Sequence, residues 1–286
     1  MMSAIYLVGC IGLALFYEWV LRKTAARLQG RKGPLYAGPF GVLQPLADLI
    51  KLIAKEDISH EFTDPLFNIL PALSLSITIL ALFLIPISPA ADFSVSLLLL
   101  CALLILESVT LFLAAYSASS KYSIVGGMRY ASQVLVIEVP LLISLLSPAI
   151  LIGSFSISDV SGWNILKLPL AFLIFLISLI VELNLLPFDM PEARSELTGG
   201  WLTEFSGKKL EILNLNHDLK LVLASFLITT IFLGGGSLLI FLIKSTSVVL
   251  IFSIIHSTFA RFRIDKFVSK IWKILIPLAL LQVILI

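Results

Sequence analysis

Long apolar runs alternate along this chain with short polar segments. The runs occupy residues 3–21, 66–86, 95–117, 133–153, 168–186, 219–235, 237–256 and 270–286. A helix that crosses a bilayer needs about 20 mostly apolar residues, so the pattern predicts an all-α polytopic membrane protein with eight transmembrane helices. The sixth and seventh runs are parted only by Gly234, Gly235 and Gly236. Glycine adopts positive φ without a steric penalty, and a tight helical hairpin is predicted there.

Polar segments at 22–65, 118–132, 187–218 and 257–269 join the runs on one side, within a single integral membrane domain over 1–286. All of the 20 lysines and arginines except Lys167 and Lys244 fall in them or at their edges. Basic residues collect in short cytoplasmic loops, which places these loops in the cytoplasm and both termini outside, at the cell membrane. In the first loop Leu43, Leu46, Leu49, Ile50 and Ile53 recur at helical spacing, with Asp48, Lys51 and Lys55 on another face. That pattern predicts an amphipathic helix lying at the interface. Lys244, inside the seventh run, has two readings: a side chain that snorkels outward, or one that pairs with a functional group. No internal repeat of the transporter kind is evident.

Composition strengthens the membrane assignment: 59% of residues are hydrophobic and 13% charged, where soluble domains carry about a quarter charged residues. A formal charge of +2 gives no ground for nucleic-acid binding. Cys10 and Cys101 both lie in apolar runs, far apart, and read as small core hydrophobes. The first run is followed by basic residues without a small-residue cleavage site, so a retained helix is expected.

Acids inside the apolar runs change the picture. Glu107 sits in "LLLLCALLILESVTLFLAAY", where insertion of a charge costs about 2.5–3.5 kcal/mol. Glu138 precedes Pro140 by two residues in "QVLVIEVPLL", and Glu182 closes the fifth run. Each alone suits a protonated structural hydrogen-bond donor; three on three spans point towards a proton relay. The stretch "VELNLLPFDMPEARSELTGGWLTEFSG" adds Asp189, Glu192, Glu196 and Glu204. There Asp189 is predicted to cap a helix from Met190, with Glu192 completing a capping box. Glu192 and Glu196, four apart, then share a helical face and favour sharing a proton, with a surface charge mix around Arg194 as the alternative. No metal-ligand or nucleotide motif is present, so neither a bound cofactor nor a catalytic residue is expected on this chain.

Four stretches in order, "RKGPLYAGPFGVLQPLADLIKLIAKED", "SKYSIVGGMRYASQVLVIEVPL", "ELNLLPFDMPEARSELTGGWLTEFSG" and "RFRIDKFVSKIWKILIPLAL", resemble the family of the H subunit, also called subunit 1, of respiratory complex I. Its relatives are the matching membrane subunits of energy-converting nickel–iron hydrogenases and of sulfur-reducing complexes. The resemblance implies an eight-span subunit at the heel of a membrane arm, beside antiporter-like subunits and under a hydrophilic arm with iron–sulfur and large catalytic subunits. Iron–sulfur clusters belong to those partners, and a quinone site at the subunit interface is implied for the quinone-using members.

Carried over, Glu138, Glu182, Asp189, Glu192, Glu196 and Glu204 match family acids of the relay, with Glu107 added to them. Arg31, Gln44, Asp48 and Lys51 match the first-loop motif, and Arg261, Arg263 and Asp265 match the last loop; these residues line the docking side and its cavity. The chain departs from the family in three places. Arg194 stands where complex I usually has an acid or glycine. His217 and Asp218 lie near where many complex I members have a glutamate entering the sixth span, and His217 suits a relay role, as an unperturbed histidine titrates near neutral pH, or a structural one at a helix start. Leu35, Tyr36 and Ala37 replace the Asn-Arg-Val common in quinone-using members. The expected function is a membrane subunit of a complex I-like redox-driven pump for protons or sodium. A secondary transporter and a passive anchor are the rival readings.

Overall fold

The computed structural model describes residues 2–58, 64–86, 94–160 and 162–285, apart from the side chains of Met2, Arg194 and Ser195. Residues 59–63 of the first loop, the end of the eighth run and the Arg194 side chain therefore lie outside it. The described residues are helical, without strands. In chain order the helices are α1 (Met2–Leu28), α2 (Gln44–Ala54), α3 (Leu66–Phe83), α4 (Ser96–Ser117), α5 (Lys121–Ile152) and α6 (Asn164–Lys167). Then come α7 (Pro169–Glu182), α8 (Arg194–Leu197), α9 (Gly207–Ile231), α10 (Leu238–Thr258) and α11 (Ile264–Leu285).

The bundle is built around α9, which packs against α1, α2, α3 and α10. From Leu219 to Phe232 every residue of this stretch is buried. A helix apolar on all sides has no face to give to solvent and belongs in a core. Around this axis α3 packs on α4, α4 on α5, and α5 on α7 and α11.

Among the described residues six helices are long and apolar enough to cross a membrane: α1 from Ser3, α3, α4, α5, α10 and α11. The other two predicted runs differ from expectation in shape. The fifth becomes α7, only 14 residues long, because Pro169 opens it and the chain turns away after Glu182. The sixth forms the end of α9, whose middle carries Asn214, Asn216, His217, Asp218 and Lys220.

Most of the segment 118–132, expected as a loop, belongs to α5. Ser120 caps the helix by accepting a hydrogen bond from the Ser123 N–H, an N-cap role suited to serine. The helix runs on past Pro140 and Pro148 as one element. The helix predicted from Met190 does not form. Residues 188–193 are turns and irregular chain, and α8 begins only at Arg194. Gly200 explains this locally, since a Cβ there would lie 1.8 Å from the Pro191 carbonyl oxygen. Its φ of 63° brings the chain back on itself and closes a compact turn where a capped helix was predicted.

The other local predictions hold. The amphipathic pattern forms α2, with Leu43, Leu46, Ile50 and Ile53 exposed on one side. Gly234, Gly235 and Gly236 all have positive φ between α9 and α10. Lys244 reaches that turn and donates to the carbonyls of Leu233 (2.6 Å) and Gly235 (2.8 Å), next to the Trp163 ring. It thereby satisfies groups that a helix C-terminus leaves open. Cys10 and Cys101 are buried thiols.

Gly126 tests the seating of the third polar segment on α5. A Cβ there would fall 2.6 Å from the Trp201 backbone nitrogen, and backbone cannot step aside as a flexible side chain can. Gly126→Ala is expected to lower stability by about 1–3 kcal/mol, read as an earlier melting transition in detergent, whereas Gly9→Ala, inside α1 with open space around it, should leave the transition in place or raise it, because alanine favours a helix interior.

Candidate functional site

Three helices bring charge together inside the bundle. Lys220, on α9, places its Nζ 2.5 Å from Glu107 Oε2 on α4 and 2.7 Å from Glu182 Oε1 at the end of α7. Exposure is 5% for Lys220, 3% for Glu107 and 5% for Glu182. Such charges are tolerable only when paired and hydrogen-bonded, and polar side chains supply the bonds. Asn216 Nδ2 donates to Glu107 Oε1 (3.0 Å), Thr78 donates to Asn216 Oδ1 (2.6 Å), and Ser108 Oγ lies 3.2 Å from Glu182 Oε1. Two carboxylates around one ammonium leave a net charge of −1 when all are ionised. Uptake of one proton would bring the cluster to neutrality.

Lys220 was legible only as a loop cation, because it stands at the polar edge of the sixth run. The helical period reveals its setting: Asn216 and Lys220 are four apart on α9, so both project towards α4.

Glu138, on α5, is half-buried and faces Glu182 and Ser108. Gln133, on the same helix, donates to the Val181 carbonyl (2.8 Å) and to Asn184 Oδ1 (3.1 Å), which locks α5 to the end of α7. The structure thus brings Glu107, Glu138 and Glu182 into one neighbourhood.

A cavity of about 140 Å³ opens beside the cluster, and Glu182, Glu192, Trp201, His217 and Lys220 are among the residues around it. A site this polar and roomy can hold ordered water. Glu192 faces this cavity, whereas Glu196 turns to the surface and pairs with Arg129 at 2.5 Å. The two acids therefore do not share a helical face or a proton, since no helix spans 190–193. Hydrogen bonding to Arg129 holds the Glu196 carboxyl below its ordinary range, opposite to the expected mutual rise. Glu204 lies in the turn before α9, and Asp189 in the irregular segment before α8.

His217, one turn before Lys220, contacts the Leu183 carbonyl through Nε2 (2.9 Å), with Asp218 Oδ1 3.7 Å from its Nδ1. Both residues line a second cavity of about 680 Å³ whose opposite wall carries Arg31 and Lys32. Next to it, Asp48 and Lys51 line a third of about 530 Å³. Glu18 and Arg22 of α1, which sequence reasoning passed over, border both cavities. Arg22 pairs with Glu18 and, at 2.7 Å, with Asp48, which also accepts from Gln44 (3.0 Å). A carboxylate followed four residues later by arginine in the first run was the available signal.

Arg31 lies on the surface, donating to Gln29 (2.9 Å). In the last loop Arg261 donates to the Met190 carbonyl (3.3 Å), and Arg263 lies 3.5 Å from Asp265. These three border a surface hollow with Arg129 and Glu196. Among the described residues no group of His, Cys, Asp and Glu converges in a way that suits a metal ion.

Two substitutions should separate buried from surface charge. Lys220→Met leaves two buried carboxylates without their cation and is expected to cost about 3–5 kcal/mol. Glu196→Gln, in a partly exposed pair, should cost about 1 kcal/mol or less. Because the folded-state pKa of Glu196 is depressed, its contribution is complete above the ordinary carboxylate pKa and fades as pH falls through the lowered value. A pH series of melting curves for the parent and Glu196→Gln should therefore converge in acid.

Residues 1–286 match the protein family described as NADH dehydrogenase. The H subunit of the NADH-quinone oxidoreductase of Thermomicrobium roseum is 35% identical over 318 residues, covering 97% of this chain and 93% of that protein. Among solved structures, a chain of the membrane-bound sulfane sulfur reductase, an archaeal respiratory membrane complex, superimposes with a TM-score of 0.90 at 28% identity. That match covers 99% of this chain and 98% of the other. The chain belongs to the NADH dehydrogenase family, that of the H subunit or subunit 1 of complex I, and is a membrane subunit of a complex I-like respiratory oxidoreductase.

Proposed function

We propose that this subunit converts electron transfer in a docked iron–sulfur arm into proton movement across the membrane, with sodium as the alternative ion. The observation that carries the reading is Lys220 held between Glu107 and Glu182. A cluster with this balance changes its net charge with one proton, and in a low-dielectric interior such a change acts strongly on neighbouring groups.

In this reading the docked arm shifts the segment 187–207, which carries Asp189, Glu192, Glu196 and Glu204. A proton enters through the cavity beside Glu192, which His217 also lines, with Asp218 next to His217 in the adjoining cavity. It is taken up by Glu182 and Glu107, Lys220 redistributes between them, and Glu138 passes the charge change towards the antiporter-like subunits. The basic first and last loops, with Arg31, Gln44, Asp48, Lys51, Arg261, Arg263 and Asp265, form the docking side. Tyr36, 98% exposed at the tip of the first loop, meets the docked subunits.

Topology follows from charge: α7 and α9 complete eight spans, the four polar loops are cytoplasmic and both termini are outside. The exposed Leu46 and Ile50 of α2 rest in the lipid interface. Iron–sulfur clusters and the catalytic large subunit belong to partners. Those partners set the acceptor, which the related proteins' names give as quinone or sulfane sulfur.

The test uses the assembled complex in sealed vesicles, with ions moved per electron as the readout. Positioned proton-transfer groups contribute about 10²–10⁴-fold, so Lys220→Met, Glu107→Gln and Glu138→Gln should each lower this ratio by about 100-fold. Replacing sodium in the medium, with and without a protonophore, distinguishes the two ions. A passive anchor predicts the opposite result, with weakened assembly and an unchanged ratio in whatever complex remains.

A further inference from the structure

Tyr130 is 2% exposed, and its hydroxyl is buried without a hydrogen-bond partner. The groups around it are Ser108 and Glu107 from α4, Glu182 from α7 and Lys220 from α9. On the packed helices α7 and α5, Glu182 Oε2 and Glu138 Oε1 are buried acceptors that also lack a partner. An orphan hydroxyl costs stability, and its replacement by an apolar group of the same shape is nearly neutral or favourable. Stability alone would therefore favour phenylalanine at this position. A donor left over beside two acceptors instead marks an arrangement with a second pairing within reach.

The outer side of the same ring contacts the third polar segment. Trp201 packs on Tyr130 with ring centroids 6.4 Å apart, and also on Phe205 at 6.2 Å. Gly126, four residues before Tyr130, lets the Trp201 backbone lie directly on α5, and Ser123 Oγ lies 3.2 Å from the Trp201 carbonyl. Trp201 also lines the small cavity together with Glu192. The turn Gly200–Leu202 is thus in direct ring contact with Tyr130.

We infer that Tyr130 is a positioning residue of the Lys220 cluster: its hydroxyl donates to the carboxylate that Lys220 releases, and the Trp201 turn controls that exchange. With Lys220 on Glu107, the phenol satisfies Glu182; with Lys220 back on Glu182, the phenol turns away. The cluster passes between two pairings without exposing a bare buried carboxylate. Tyr130 keeps its proton throughout. The proton bound by the cluster comes from the cavity and leaves by way of Glu138. This inference rests on the relay proposed above and adds to it the residue that times it.

The experiment compares Tyr130→Phe with Lys220→Met in the assembled complex in vesicles, reading ions moved per electron and the melting temperature. A hydrogen bond to a charged group is worth about tenfold or more in an equilibrium, so Tyr130→Phe should lower the ratio by about tenfold with the melting temperature equal to or above that of the parent. A fluorotyrosine at position 130 keeps the shape while strengthening the donor, and should move the pH profile of pumping towards acid. The charged groups that set this profile are Lys220, Glu107, Glu182 and Glu138, contributed by four helices. An unchanged ratio in Tyr130→Phe overturns the inference, as does an unchanged pH profile with fluorotyrosine, which decides the matter should Tyr130→Phe fail to assemble. Normal pumping by Lys220→Met would sink the relay itself; its loss together with normal pumping by Tyr130→Phe would sink only the role of Tyr130.

Discussion

An ammonium group without water must have anions within contact distance, and most of this structure can be read as the means of providing them to Lys220. Glu107 and Glu182 come from helices far apart in sequence, α4 and α7, and both must end beside the same turn of α9. The cost of failure is large, because a buried charge that loses its partner has no solvent to replace it. Asn216, itself held by Thr78, bonds Glu107 Oε1, and Ser108 bonds Glu182 Oε1, while Glu182 Oε2 keeps an open acceptor. Nothing in the cluster is held by a single helix, so it exists only in the assembled bundle.

That requirement accounts for the odd geometry of two elements. α7 stops at Glu182, so its last side chain opens into the small cavity. α9 is polar in its first half and wholly buried in its second, so one helix both lines the cavities and forms the core axis. The polar half would be costly against lipid; here α2, the first loop and the end of α7 surround it. Arg22 with Glu18 and Asp48 repeats the same solution on α1 nearer the surface, where partial exposure makes the pairing weaker in energy and easier to rearrange.

The third polar segment shows how tertiary contact overrides local preference. Asp189, Pro191 and Glu192 have the spacing of a helix start, yet the chain stays irregular, because Gly200 and Trp201 must sit on Gly126 and beside the Pro191 carbonyl. The packing of these elements outweighs a cap. It also separates Glu192 from Glu196, one towards the cavity and one towards Arg129.

Sequence by itself determined that the chain is an all-helical membrane protein, roughly where its helices lie, that the glycine hairpin and amphipathic α2 form, and that acids lie within the apolar runs. Hydropathy and helical periodicity are local quantities, so these features follow from neighbours along the chain. The family, too, was legible from four ordered stretches. Only the tertiary structure decided which charges meet. It revealed Lys220 as the centre of the buried cluster, parted Glu192 from Glu196, and set Glu18, Tyr130 and Trp201 beside groups distant in sequence. Ion pairs and ring contacts of that kind depend on distances through space between helices, which no window of sequence contains.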